Sequence, residues 1–245
     1  MHSYRSKLVT APDSSETPSR RQFFKGLGAA TLATVVLPGC DIRSATPAQN
    51  GAGSTYVPQF FTPDEWTFIN VASARLIPSD ALGLGAVEAG VPEYIDRQMG
   101  TSWAVGALWY MQGPFNADAP DTMGYQYQLT PQQIYRLGIA AANGFVQKTQ
   151  GKLFAQMSTD TQDAALHAIE SGQAIFESVP AKLFFSLLLQ NVREGFFADP
   201  VHGGNRGLAG WKLIGFPGAR ADFMDWVERD VKYPLLPVAM SGKRD

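Results

Sequence analysis

From residue 60 onward the apolar positions recur at the three- and four-residue steps of helices. Thr62-Pro63-Asp64-Glu65 is a capping box. The threonine accepts from the first turn, Pro63 sits where its missing N–H is harmless, and Glu65 reaches back. Trp66, Ile69, Ala72, Ser73, Leu76 and Ile77 then form an apolar stripe that Pro78 ends. Thr130-Pro131-Gln132-Gln133 repeats the device ahead of Ile134, Leu137, Ala141 and Phe145. Ser158-Thr159-Asp160 opens a third helix with Ala165, Leu166 and Ile169 inward and Gly172 as its C-cap. Pro180 starts a run through Phe197 that is apolar on nearly every side, as in the middle of a bundle (Leu183, Phe184, Phe185, Leu187, Leu188, Leu189). The spacing of Phe223, Trp226 and Val227 predicts a last helix from Gly218 to Lys232. No run alternates with period two and β-branched enrichment, so the predicted class is all-α: one irregular helical bundle over residues 60–245.

Residues 100–129 break this pattern. Gly100, Gly106, Gly113, Pro114, Pro120 and Gly124 are interleaved there with Trp103, Trp109, Tyr110, Phe115, Tyr125 and Tyr127. A connection this long is either a functional loop or a disordered one. Its aromatic residues suit a protein partner or fold back on their own bundle. Composition adds weight to a partner: only 17% of the 245 residues are charged, against about 25% in an average soluble domain. Beyond residue 39 the chain has a net charge of −5, which is unsuited to tracking phosphates and excludes nucleic acid as the expected ligand. One cysteine and three histidines (His2, His167, His202) leave too few ligands for a zinc or iron–sulfur site.

Residues 1–39 carry a net charge of +3 and the layout of an export signal. Ser19-Arg20-Arg21-Gln22-Phe23-Phe24-Lys25 precedes a weakly apolar run from Gly26 to Leu37, which is too short to span a bilayer. This resembles the twin-arginine (Tat) motif, with Phe24 in place of the usual Leu, an address read by a receptor. Leu37-Pro38-Gly39-Cys40 has the form of a lipoprotein cleavage box, so Cys40 is either lipidated or an incidental residue of a discarded leader. Residues 41–59, rich in Ala, Pro, Gly, Ser, Asn and Gln, read as a flexible tether. The expected division is a signal region over 1–40, a linker over 41–59 and a helical domain over 60–245. The expected location is periplasmic, with membrane association through a complex or a lipid anchor.

The most informative segment runs from Glu194 through Asp199-Pro200-Val201-His202-Gly203-Gly204-Asn205 to Gly210-Trp211-Lys212-Leu213-Ile214-Gly215-Phe216-Pro217-Gly218. Its seven glycines permit close approach of another chain segment. Neither phosphate-cradling glycine motif is present. Asp199 with His202 suggests an acid–base pair, and His167 with Glu170 an i, i+3 pair on a solvated helix face. D-P-x-x-G-G-N followed by G-W-K-x-I-G-F-P-G resembles the gluconate 2-dehydrogenase subunit 3 family, the small subunit of membrane-bound FAD-dependent sugar and sugar-acid dehydrogenases. With the leader and the T-P-x-E helix start, the resemblance spans residues 19 to about 237, and His202 stands where the family often has Tyr.

The resemblance implies a non-catalytic small subunit that binds neither FAD nor haem. FAD resides in a large (GMC-type) flavoprotein partner, and haem c in a multihaem cytochrome subunit where one is present. It also implies that the leader, through Arg20, Arg21, Phe23, Phe24 and Lys25, carries the flavoprotein to the Tat translocase. Partner docking then falls on Asp199, Pro200, Gly203, Gly204, Asn205, Gly210, Trp211, Lys212, Gly215, Phe216, Pro217 and Gly218. Internal packing of Trp211 and Phe216 is the alternative for that loop. For the whole chain the alternatives are an exported lipoprotein scaffold and a small enzyme using Asp199 and His202.

Overall fold

The computed structural model describes residues 56–116 and 118–244; the expected twin-arginine motif (Arg20, Arg21) and Cys40 lie outside them. Among the described residues there are six α-helices and no β-strand: α1 (Pro63–Leu76), α2 (Val91–Gln98), α3 (Pro131–Gln150), α4 (Thr159–Ser171), α5 (Ala181–Phe197) and α6 (Ala209–Ile214). The all-α expectation holds. No helix there is long and apolar enough to cross a membrane.

Both capping boxes form: Thr62 and Glu65 close the start of α1, and Thr130 and Gln133 that of α3. α4 ends at Gly172 in the left-handed region (φ 77°), where glycine carries no Cβ clash. α5 is the central element and packs against α2, α3 and α4. It buries Phe184, Phe185, Leu188, Val192 and Phe196, while Leu183, Leu187 and Leu189 are half-buried around it. The buried stripe of α3 is Ile134, Tyr135, Gly138, Ile139, Ala142 and Val146, so Leu137, Ala141 and Phe145 lie at its margin. The stripe is turned this way because Gly138 lies against the Phe184 ring of α5.

Three elements depart from the sequence expectation. α2 has no side-chain cap and Gly90 before it is left-handed, so its eight residues carry few of the usual start signals. It is nonetheless central to the fold. Buried Asp96 accepts from the Tyr56 hydroxyl (2.6 Å) and from the backbone N–H groups of Gln59 (2.7 Å), Phe60 and Phe61 (both 3.0 Å). Residues 56–59, read from composition as the end of the tether, are therefore held on the body.

The predicted helix from Gly218 to Lys232 does not form; only Met224–Trp226 makes a single 3₁₀ turn. The Asp222 side chain accepts from Met224 N (3.1 Å), a local bond that competes with helical pairing, and Glu228 adopts a positive φ of 64°. Phe223 and Val227, predicted inward, are exposed.

The 100–129 segment folds back in part. Trp103 and Tyr125 pack against the core, and Tyr125 meets Trp109 at a tilt (ring centroids 5.2 Å) and Tyr127 edge-on (5.7 Å), while Tyr110 stays exposed. Between its two halves Trp109, Tyr110, Phe115 and Tyr125 line an open cleft of about 490 Å³.

Candidate functional site

The glycine-rich segment from Asp199 to Gly218 begins where α5 runs out of helical partners. The last carbonyls of a helix have no acceptor role within it. Here the following loop supplies the missing donors: Asn205 Nδ2 donates to Ala198 O at 2.8 Å, and Trp211 Nε1 donates to Phe197 O at 2.7 Å. The Asn205 amide oxygen accepts from Gly210 N at 2.8 Å. Asn205 is fully buried and holds φ at 49°, a left-handed conformation that asparagine tolerates better than most residues. Gly204 and Gly210 lie so close to the Gly195 and Phe196 carbonyls that a Cβ on either would collide with backbone.

A second set of bonds ties the loop to α2. Arg206 N donates to Ala89 O at 2.9 Å. Buried Glu93 of α2 pairs with Arg206 of the loop and with Arg97 one turn along its own helix. Sequence reasoning passed over Glu93 and Arg206; the i, i+4 spacing of Glu93 and Arg97 was the available signal. A third set reaches the C-terminal segment. The Asp199 carboxylate accepts from Val201 N (3.0 Å) and from Met240 N (2.7 Å), and Trp211 packs with Leu208 and Ala239 as a small separate core.

Of the residues expected to dock a partner, Asp199, Gly203, Gly204, Asn205, Gly210 and Trp211 are buried, and Pro200, Pro217 and Gly218 are half-buried. Lys212, Gly215 and Phe216 are exposed, and Leu213 and Ile214 join them on the outer face of α6. Phe216 packs edge-on to Trp211 at 5.1 Å while 45% of its surface remains open. Beside this face a shallow apolar cavity of about 170 Å³ is lined by Leu76, Ile77, Leu82, Leu84, Phe196 and Leu213.

Asp199 and His202 are not assembled as an acid and a base. Both carboxylate oxygens of Asp199 are taken by backbone N–H groups, and His202 meets Asp199 through its backbone N (3.0 Å) while the residue itself is exposed. His167 Nδ1 lies 3.2 Å from Glu170 on the exposed face of α4, as the i, i+3 spacing suggested.

No curated protein and no solved structure matches the chain. The family model for gluconate 2-dehydrogenase subunit 3 matches residues 63–218, from the first residue of α1 to the last glycine of the loop, and the chain belongs to that family.

Proposed function

We propose that this chain is the non-catalytic small subunit of a periplasm-facing, FAD-dependent gluconate or sugar dehydrogenase, and that it escorts and stabilises the flavoprotein subunit. Membership of a dehydrogenase-subunit family supports a place in a multi-subunit complex. The observation that carries the non-catalytic role is the state of the polar groups in the loop and in the α2 residue beneath it. Asp199, Asn205, the Trp211 indole N–H and Glu93 of α2 are all bound to the chain's own backbone or cations, which makes the motif a brace. What it presents outward is a contact face: Lys212, Leu213, Ile214 and Phe216.

On this reading FAD sits in the large GMC-type partner, and any haem c in a cytochrome subunit. Arg20 and Arg21, with Phe23, Phe24 and Lys25, address the assembled pair to the Tat translocase. Cys40, if lipidated, adds an anchor. The substrate is set by the flavoprotein.

Two measurements test the reading. Purification through a C-terminal tag from the native host should bring down a large subunit with a flavin absorption band; a colourless single chain would overturn the complex. Arg20→Lys together with Arg21→Lys should leave both this chain and its partner in the cytoplasm. A partner that still reaches the periplasm would exclude the escort role.

A further inference from the structure

In the excursion from Ala219 to Pro237 every residue up to Leu236 is exposed or half-buried, and it lies just past the family-matched segment, which ends at residue 218. Phe223, Met224, Val227, Val231, Leu235 and Leu236 are all exposed within it, Met224 at 76% and Val231 and Leu236 at 62%. Solvent-facing apolar side chains so concentrated mark an interaction surface.

The excursion is nevertheless built and mounted. Its ends meet where Ala219 N donates to Val238 O at 2.7 Å and Val238 N donates to Pro217 O at 3.2 Å. Gly218, at φ 76°, leaves no room for a Cβ against Val238. Arg220 donates to Leu236 O across the neck. Inside the excursion Tyr233 stands edge-on to Phe223 (5.6 Å) and Trp226 (5.2 Å), with Arg220 over its ring at 5.5 Å and Arg229 over Trp226 at 5.1 Å. The returning segment is fastened to the glycine-rich loop by Met240 N on Asp199 and by Ala239 against Trp211. The motif residues thus form the socket, and the excursion is a preshaped arm standing on it.

We propose that this arm, with the adjoining outer face of α6, is the surface that grips the flavoprotein subunit. The proposal deepens the function proposed above and rests on it. Preshaping lowers the ordering cost of association. Continuity with α6 follows from Lys232, whose Cε lies 3.7 Å from where a Cβ on Gly215 would stand. One side of a standard protein interface takes about 20–30 residues, and residues 219–237 with Lys212, Leu213, Ile214 and Phe216 match that number.

A lipid surface fits less well. Two of the arm's three cations, Arg220 and Arg229, are engaged on aromatic rings, while Asp222, Asp225, Glu228 and Asp230 are spread among the apolar residues and would face anionic headgroups.

The test is co-expression of the full chain with the flavoprotein subunit and recovery through a tag on this chain. In the variant Met224→Ser, Val227→Ser, Val231→Ser, Leu236→Ser, the recovered flavoprotein should fall about tenfold or more, with helical circular dichroism and melting temperature unchanged. Wild-type recovery by the variant overturns the arm and leaves the subunit reading standing. A wild-type chain that retains no flavoprotein overturns both.

If the variant melts early, amide hydrogen exchange on the wild-type chain decides. Slower exchange over 220–236 in the complex than in the chain alone supports the arm, and unchanged exchange overturns it. Sedimentation of the wild-type chain, but not the variant, with phosphatidylcholine–phosphatidylglycerol vesicles would assign the arm to lipid and overturn the proposal. Arm-dependent dimers of the chain would assign it to a second copy, with the same effect.

Discussion

Asn205 concentrates the logic of the loop in one side chain. Its amide donates to Ala198 O and accepts from Gly210 N, both at 2.8 Å, and its backbone is left-handed. Removing the amide leaves the half-buried Ala198 carbonyl and the buried Gly210 N–H without partners, each loss costing about 1–3 kcal/mol. Asn205→Ala should therefore destabilise the fold by about 3 kcal/mol in urea unfolding, and Asn205→Gly by about 1 kcal/mol less, because only alanine suffers at positive φ. Equal losses for the two would mean that the backbone conformation contributes nothing. The sequence marked Asp199, Asn205 and Trp211 as special because small, polar and aromatic residues were crowded among glycines. It left their direction open, since the partners of Asn205 and Trp211 are backbone carbonyls at the end of α5, and no residue type records a carbonyl. Glu93 and Arg206 lie 113 positions apart, and only the packing of α2 on the loop brings them together.

Among the elements, those with local punctuation were legible. Thr62, Thr130, Gly172 and Pro180 each stand within a residue of the boundary they mark, because capping is settled by groups three or four positions apart. α2 lacks such groups, and its existence depends on Asp96 and Glu93 finding partners far along the chain. The false helix after Gly218 had the right apolar spacing but no neighbour to bury it against. The crossing of α3 and α5 provides a sharper test of element packing. Gly138 faces the Phe184 ring, which is 1% exposed and itself wedged against Tyr135 and Phe68. In an exposed helix Gly→Ala stabilises by about 1 kcal/mol. Here the added methyl would run into the ring, so Gly138→Ala should destabilise by about 1–3 kcal/mol, the usual cost of overpacking. A raised melting temperature would show that the two helices can separate without penalty.

Across the whole molecule, three tyrosines stand where separate segments pack together, and all three are shifted the same way. The Tyr56 hydroxyl is pushed up to about 12 by burial, then by the bond it donates to Asp96 and that carboxylate's charge. Tyr94 on α2 is raised to about 12 by burial and by Glu194 of α5, and Tyr125 of the aromatic segment to about 12 by burial beside Tyr127. In each the neutral phenol is the form the fold favours. With folded values above the ordinary 10, the stabilisation is complete below pH 10 and is lost as pH rises from there toward 12. Alkaline titration should therefore show a delayed phenolate band at 295 nm for these residues, and a melting temperature that falls between pH 10 and 12. Tyr56→Phe should remove only the share belonging to the strap over residues 56–61: its bond to Asp96 is gone at every pH, so the variant begins less stable and loses less on going alkaline. If the variant follows the wild-type curve in parallel over that interval, Tyr56 is not the group whose ionisation loosens the strap.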